Sequence, residues 1–205
     1  MNNIPQRIAI YGGSFDPIHT AHLILAQTAV EQLSLDLLYF IPSGGKAHYK
    51  SVSNQASSTD RFNMLQLAIG EHPCIRVSDY EIRQGRFCYT IETLRYFRSL
   101  FPAGTEIFLL AGQDWKDKIQ TWKEGDAILR EFKVALFSRP LESGSLKPGH
   151  LSDEENVILV NMPLIEISST EIRQRVRENE SIQYRVPEPV RQYILEHKLY
   201  LEVDK

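Results

Sequence analysis

The sequence predicts an α/β fold, a doubly wound and mostly parallel sheet with helices on both faces and a small C-terminal helical extension. Short apolar runs alternate with segments of helical periodicity along most of the chain. Several of these runs are continuously apolar, as expected of strands covered on both faces. The length, 205 residues, suits one core, since domains commonly run ~100–200 residues. A single domain over residues 1–205 is therefore expected, with 168–205 as its helical end.

Residues 7–11 (RIAIY) read as the first strand, ending on Gly12 and Gly13. Ile18, Ala21, Leu25, Ala29 and Leu33 then recur at helical spacing, which predicts a helix over 17–33. Residues 36–41 (DLLYFI), closed by Pro42, read as the second strand, so the chain opens with a βαβ unit. A helix over 59–69, a strand at 75–77, a helix over 90–100 and a strand at 106–110 follow. Next come a helix at 125–131 and strands at 133–137 and 157–160, and 164–167 reads as a last short strand. Two polar stretches, 43–58 and 141–156, interrupt the pattern. The first carries Lys46, His48 and Lys50 without an acidic residue, as a lid over an anion would.

Composition excludes several classes. Acidic residues (26) outnumber Lys plus Arg (23), giving a net charge of −3, so the basic field that duplex nucleic acid requires is missing. No apolar run approaches the ~18–20 residues of a membrane span, and the first residues do not read as a secretory leader. A soluble, cytoplasmic protein is expected. Cys74 and Cys88 form no CxxC pattern, which argues against a disulfide framework or a structural zinc site and leaves them as small core residues.

Two stretches carry chemistry. In GGSFDPIHTAHL (12–23), Gly12 and Gly13 allow a turn with close backbone approach, Asp16 is a favoured N-cap and Pro17 suits the first helical position. His19 and His22 then lie on one face near the positive end of the helix. Free N–H groups there make an anion site, and two imidazoles add donors for phosphate oxygens. Zinc proteases space their histidines differently and no third ligand is nearby, so no protein metal site is assigned. The absence of G-K-[ST] excludes a P-loop, and a dinucleotide fingerprint lacks its third glycine. In PLIEISSTEIRQRVREN (163–179), Ser168 and Glu171 form a capping-box pattern that starts a helix. Arg173 falls in its first turns, where the dipole disfavours a cation; by itself it reads as a solvated surface Arg or as a ligand contact.

The first stretch resembles the G-G-[ST]-F-[DN]-P-x-H-x-x-H signature of the nicotinate- and nicotinamide-nucleotide adenylyltransferases, within the H-x-G-H nucleotidyltransferase superfamily. It departs from H-x-G-H at Ala21. ISSTEIR (167–173) resembles the second signature of that family. Between and beyond them, Arg61 with Met64, Tyr89-Thr90, AGQD (111–114), Trp122 and PEPVRQYILEHKLY (187–200) resemble further family segments in order.

The resemblance implies a Rossmann-like fold and a reaction of ATP with a pyridine mononucleotide, giving the dinucleotide and pyrophosphate. It implies catalytic roles for His19, His22 and Arg173. ATP would meet Gly12, Gly13, Ser14, Phe15, Gly112, Asp114, Ile167, Ser168 and Ser169. The mononucleotide would meet Lys46, His48, Lys50, Tyr89, Thr90 and Trp122. Mg²⁺ would be bound mainly through ATP phosphates, and direct attack on the α-phosphorus needs no protein nucleophile. Nicotinate mononucleotide is the expected acceptor. Nicotinamide mononucleotide stays open, because residues 42–50 read PSGGKAHYK where the bacterial nicotinate enzymes have P-N-x-x-P-P-H-K, and Lys123 follows Trp122 where they carry an aromatic. Rival readings are a phosphopantetheine adenylyltransferase, a nucleotide-binding module without turnover, and, last, a metal hydrolase. A homo-oligomer is compatible with the sequence.

Overall fold

Among the described residues six parallel strands form one sheet in the order β3-β2-β1-β4-β5-β6. They are β1 (Arg7–Gly13), β2 (Leu37–Pro42), β3 (Ile75–Val77), β4 (Glu106–Gly112), β5 (Lys133–Ser138) and β6 (Val157–Asn161). The helices are α1 (Thr20–Gln32), α2 (Ser58–Ile69), α3 (Tyr80–Arg83), α4 (Thr90–Leu100), α5 (Gly125–Glu131), α6 (Ser169–Arg177) and α7 (Glu188–Glu196). This computed structural model describes residues 4–45, 56–112, 118–138, 156–163 and 165–201.

Alternation along the central strand explains the two layers. Ala9 of β1 joins a core with residues of α1, α2, α6 and α7, while Ile8 and Ile10 join a second core with residues of α4 and α5. The doubly wound expectation therefore holds. The chain winds from β1 outward to β3 on one face, returns to β4 beside β1, and winds outward again on the other. The strand order reverses between β1 and β4, and in such sheets ligands bind beyond the carboxyl ends of the strands at that crevice.

Most elements fall where periodicity put them, α4 and α5 with the expected bounds. Three expectations need correcting. Helix α1 begins at Thr20 rather than 17, with His19 as its N-cap. Asp16 does not cap it, because its Oδ1 accepts from the Ala56 N–H at 3.1 Å and the Tyr200 hydroxyl at 2.7 Å. Of the expected strand at 164–167, residues 165–167 form none, because the chain there crosses to the first motif, where Ser169 Oγ donates to the Pro17 carbonyl. The short helix α3 and a 3₁₀ turn at Ile119–Thr121 were not expected, being too brief for any period to register. Among the described residues no helix is long and apolar enough to cross a membrane.

Candidate active site

The first motif leaves β1 at Gly12 and Gly13, both in β conformation, so the left-handed residue is not a glycine but Phe15, with φ 48°. Its buried ring folds back over Gly13, where a Cβ would meet the ring at 2.8 Å. Gly13 thus makes room for Phe15, while a Cβ on Gly12 would meet nothing within 4 Å. Tyr11, Phe40 and His22 pack around the Phe15 ring with centroids 5.1–5.3 Å away. Ser14 lends its carbonyl to Arg61, described below.

His19 and His22 stack at 3.6 Å between ring centroids. The His19 N–H donates to His22 Nδ1 at 3.3 Å, so the neutral His22 ring carries its proton on Nε2. Burial pushes the His19 pKa down to about 4, against a smaller opposing pull from Glu171. His22 is driven well below its usual value by burial and then by His19. Near pH 7 both rings are neutral donors beside the positive start of α1. Nδ1 of His19 is buried without a partner.

The second motif docks on the first. Ser169 Oγ donates to the Pro17 carbonyl at 2.8 Å, and Arg173 Nη1 donates to the Asp16 carbonyl at 2.7 Å. Arg173 is buried, which settles the choice against a solvated surface residue. Its Nη2 reaches Thr170 Oγ1 at 3.4 Å, and its Nε has no partner. Ser168 caps α6 by accepting from the Glu171 N–H at 3.1 Å. The reciprocal half of the expected capping box is missing, because Glu171 pairs instead with Arg185 at 3.0 Å. Carbonyls of Tyr184 and Arg185 meanwhile accept from Thr20 at 3.0 and 2.9 Å, tying the segment after α6 to the start of α1. Ile167, half-buried, packs on the α1-side core.

A second group lies on the other face. Tyr89 caps α4, Thr90 begins it, and Trp122 closes the 3₁₀ turn and packs on the α4-side core. Lys123 brings them together, with Nζ 4.2 Å from the Tyr89 ring centroid and 3.4 Å from Glu92. Gly112 ends β4, next to β1 in the sheet. Gly44 and Gly45 run from β2 against the backbone at Glu81 and Phe87, where any Cβ would clash. The expected contacts at Lys46, His48, Lys50 and Asp114 lie outside the described residues.

Three residues hold this arrangement through contacts that the reading of the sequence did not assign to them. Arg61, buried, donates to the Ser14 carbonyl at 2.7 Å, the Ser43 carbonyl at 2.6 Å and Ser43 Oγ at 3.4 Å, so α2 clamps the motif loop to the end of β2. An arginine on the same helix face as Met64 and Leu65 was the available signal. Asp16 and Tyr200 form the other anchor; the tyrosine closes the family-like segment 187–200, but nothing in the sequence pointed to its pairing with Asp16.

Sheet order and switch point define a Rossmann-like class, and residues 10–175 match the family described as Cytidylyltransferase-like. Over 204 residues the chain is 36% identical to the "Probable nicotinate-nucleotide adenylyltransferase" of Dehalococcoides mccartyi (strain CBDB1), covering 96% of this chain and 98% of that one. A protein of the same name from Clostridium tetani is 34% identical over 200 residues, covering 95% and 99%. The chain belongs to the nicotinate-nucleotide adenylyltransferase family. Its fold is also that of the Plasmodium falciparum nicotinic acid mononucleotide adenylyltransferase complexed with NaAD, at a TM-score of 0.74 and 21% identity, covering 95% of this chain and 97% of that one.

Proposed function

We propose that the protein transfers the AMP moiety of ATP to nicotinate mononucleotide, giving deamido-NAD and pyrophosphate, a step of NAD biosynthesis in the cytoplasm. The observation that carries this reading is the junction of the two motifs, Ser169 on Pro17 and Arg173 on Asp16, which sets two helix starts around one anion site. The nicotinate acceptor is supported by relatives of that name at 34–36% identity over nearly full length.

An oxygen of the mononucleotide phosphate attacks the α-phosphorus of ATP; that O–P bond forms as the bond to pyrophosphate breaks, and no protein nucleophile is needed. The protein's part is to hold both anions in line and to screen the charge that develops. His22 offers Nε2–H, Arg173 its guanidinium charge, and Gly12 open space for a phosphate near the backbone. These donors fit phosphate oxygens rather than a cation, and among the described residues no group of three His, Cys, Asp or Glu side chains could hold a metal. Mg²⁺, when bound, would be held mainly by triphosphate oxygens and would offset part of their charge. Tyr89, Thr90 and Trp122 form the mononucleotide side, where stacking of an aromatic ring on the pyridine contributes ~1 kcal/mol.

Pyrophosphate release from ATP, measured with nicotinate and nicotinamide mononucleotide side by side, tests the reading. A higher kcat/KM with the nicotinate form is expected. A preference for the nicotinamide form would overturn the acceptor, and no release with either would overturn the reaction.

A further inference from the structure

We propose that Tyr200 is a positioning residue for this reaction: its hydroxyl occupies the Asp16 carboxylate and so keeps the Arg173 guanidinium available to the triphosphate. The proposal rests on the reading above for the role of Arg173, and on the following geometry for the rest.

Asp16, Arg61, Arg173 and Tyr200 are all buried, 9% exposed or less. A buried carboxylate near buried guanidinium groups is ordinarily paired with one of them, because each charge needs the other once water is gone. Here it is not. Arg173 donates to the backbone carbonyl of Asp16 at 2.7 Å, and Arg61 to the carbonyl of Ser14. The carboxylate takes two neutral donors on Oδ1, the Tyr200 hydroxyl at 2.7 Å and the Ala56 N–H at 3.1 Å. Two buried atoms of opposite character are left unpartnered, Oδ2 of Asp16 and Nε of Arg173. Tyr200 stays protonated: burial first, and then Asp16, push its pKa well up, with Arg173 and Arg61 close enough to oppose them.

The tyrosine comes from the far end of the chain, at φ 67°, with its ring in the α1-side core. Without its O–H, Oδ1 keeps only the Ala56 N–H, and of the two buried guanidinium groups at hand, Arg61 and Arg173, the second already donates to the Asp16 backbone and has a free Nε, so it is the one to pair with the carboxylate. That pair draws the guanidinium toward the protein and away from the cleft. A hydroxyl, being neutral, satisfies the carboxylate without cancelling the positive charge that an incoming triphosphate needs.

The test is Tyr200→Phe, followed by crystal structures and by kinetics. In the variant, Arg173 is expected to turn onto the Asp16 carboxylate, and kcat/KM for ATP to fall roughly tenfold or more, the scale of one lost charge-assisted contact. Adding Asp16→Asn removes the carboxylate that captures Arg173, so Asp16→Asn/Tyr200→Phe should come within about threefold of Asp16→Asn alone, a strong coupling for two residues in contact. A purely structural role for Tyr200 would make the double variant worse than either single one. An unmoved Arg173 in Tyr200→Phe, or a double variant below both singles, overturns the proposal. If Tyr200→Phe does not fold, the comparison of the double variant with Asp16→Asn decides it. A wild type without turnover would sink the reaction instead, and the position of Arg173 in the variant would still test this inference.

Discussion

Acidification from pH 7.5 to 5 should destabilise the fold through His19. In the unfolded chain an imidazole titrates near 6.5; in the folded protein burial holds His19 at about 4. Between those values the unfolded chain binds a proton that the folded chain refuses, so stability is complete above pH 6.5 and is lost as the pH falls toward 4. The full gap corresponds to ~3 kcal/mol, of which ~2 kcal/mol is gone by pH 5. Against a total of about 5–15 kcal/mol for a typical domain, that loss is measurable. His22, shifted in the same direction, adds to it. Carboxylates held below their usual pKa by ion pairs, such as Glu92 and Glu131, lose their contribution only as the pH falls below ~4.5; buried Glu81, pushed up by burial, opposes the imidazoles as the pH falls, so the comparison with His19→Asn isolates the histidine's share. Urea unfolding followed by circular dichroism at half-unit pH steps, on wild type and His19→Asn, reads this directly. Equal slopes for the two proteins between pH 7.5 and 5 would refute the reasoning.

Further outcomes follow from the same geometry. His22→Ala or Arg173→Ala should each cut turnover roughly 100-fold or more, since losing one donor to a developing oxyanion costs ~2.7–4 kcal/mol; near-normal turnover in a folded variant would contradict the assigned roles. Arg61→Ala strands the carbonyls of Ser14 and Ser43 and should lower unfolding free energy by about 3 kcal/mol or more, measured by urea titration. Gly13→Ala drives a methyl into the Phe15 ring and should cost ~1–3 kcal/mol in thermal unfolding. Gly12→Ala meets nothing in the protein, so its melting should barely change while its KM for ATP rises; an unchanged KM would remove Gly12 from the ATP site.

The sheet was readable because its strands are short, apolar and bounded by turn residues, and because α4 carries a clear apolar period between two of them. Both motifs were readable as helix starts, and they do meet. What the chain hid was the means of their meeting. Asp16 looks like a helix cap in any local reading, yet its carboxylate is spent on residues 56 and 200, so His19 takes the cap and Phe15 the left-handed turn. Such contacts join positions 40 and 184 residues apart, which no window of periodicity spans. Arg61 shows the limit more gently. A charge on a buried helix face is visible in the sequence, but its targets are backbone carbonyls, which leave no trace in residue identities.

A structure with a non-hydrolysable ATP analogue goes furthest toward deciding whether two distant helix starts share one polyphosphate. Phosphate oxygens should lie within ~3.2 Å of both His22 Nε2 and the Arg173 guanidinium. An analogue whose phosphates reach only one of these groups, or that binds away from the carboxyl ends of β1 and β4, would contradict the account.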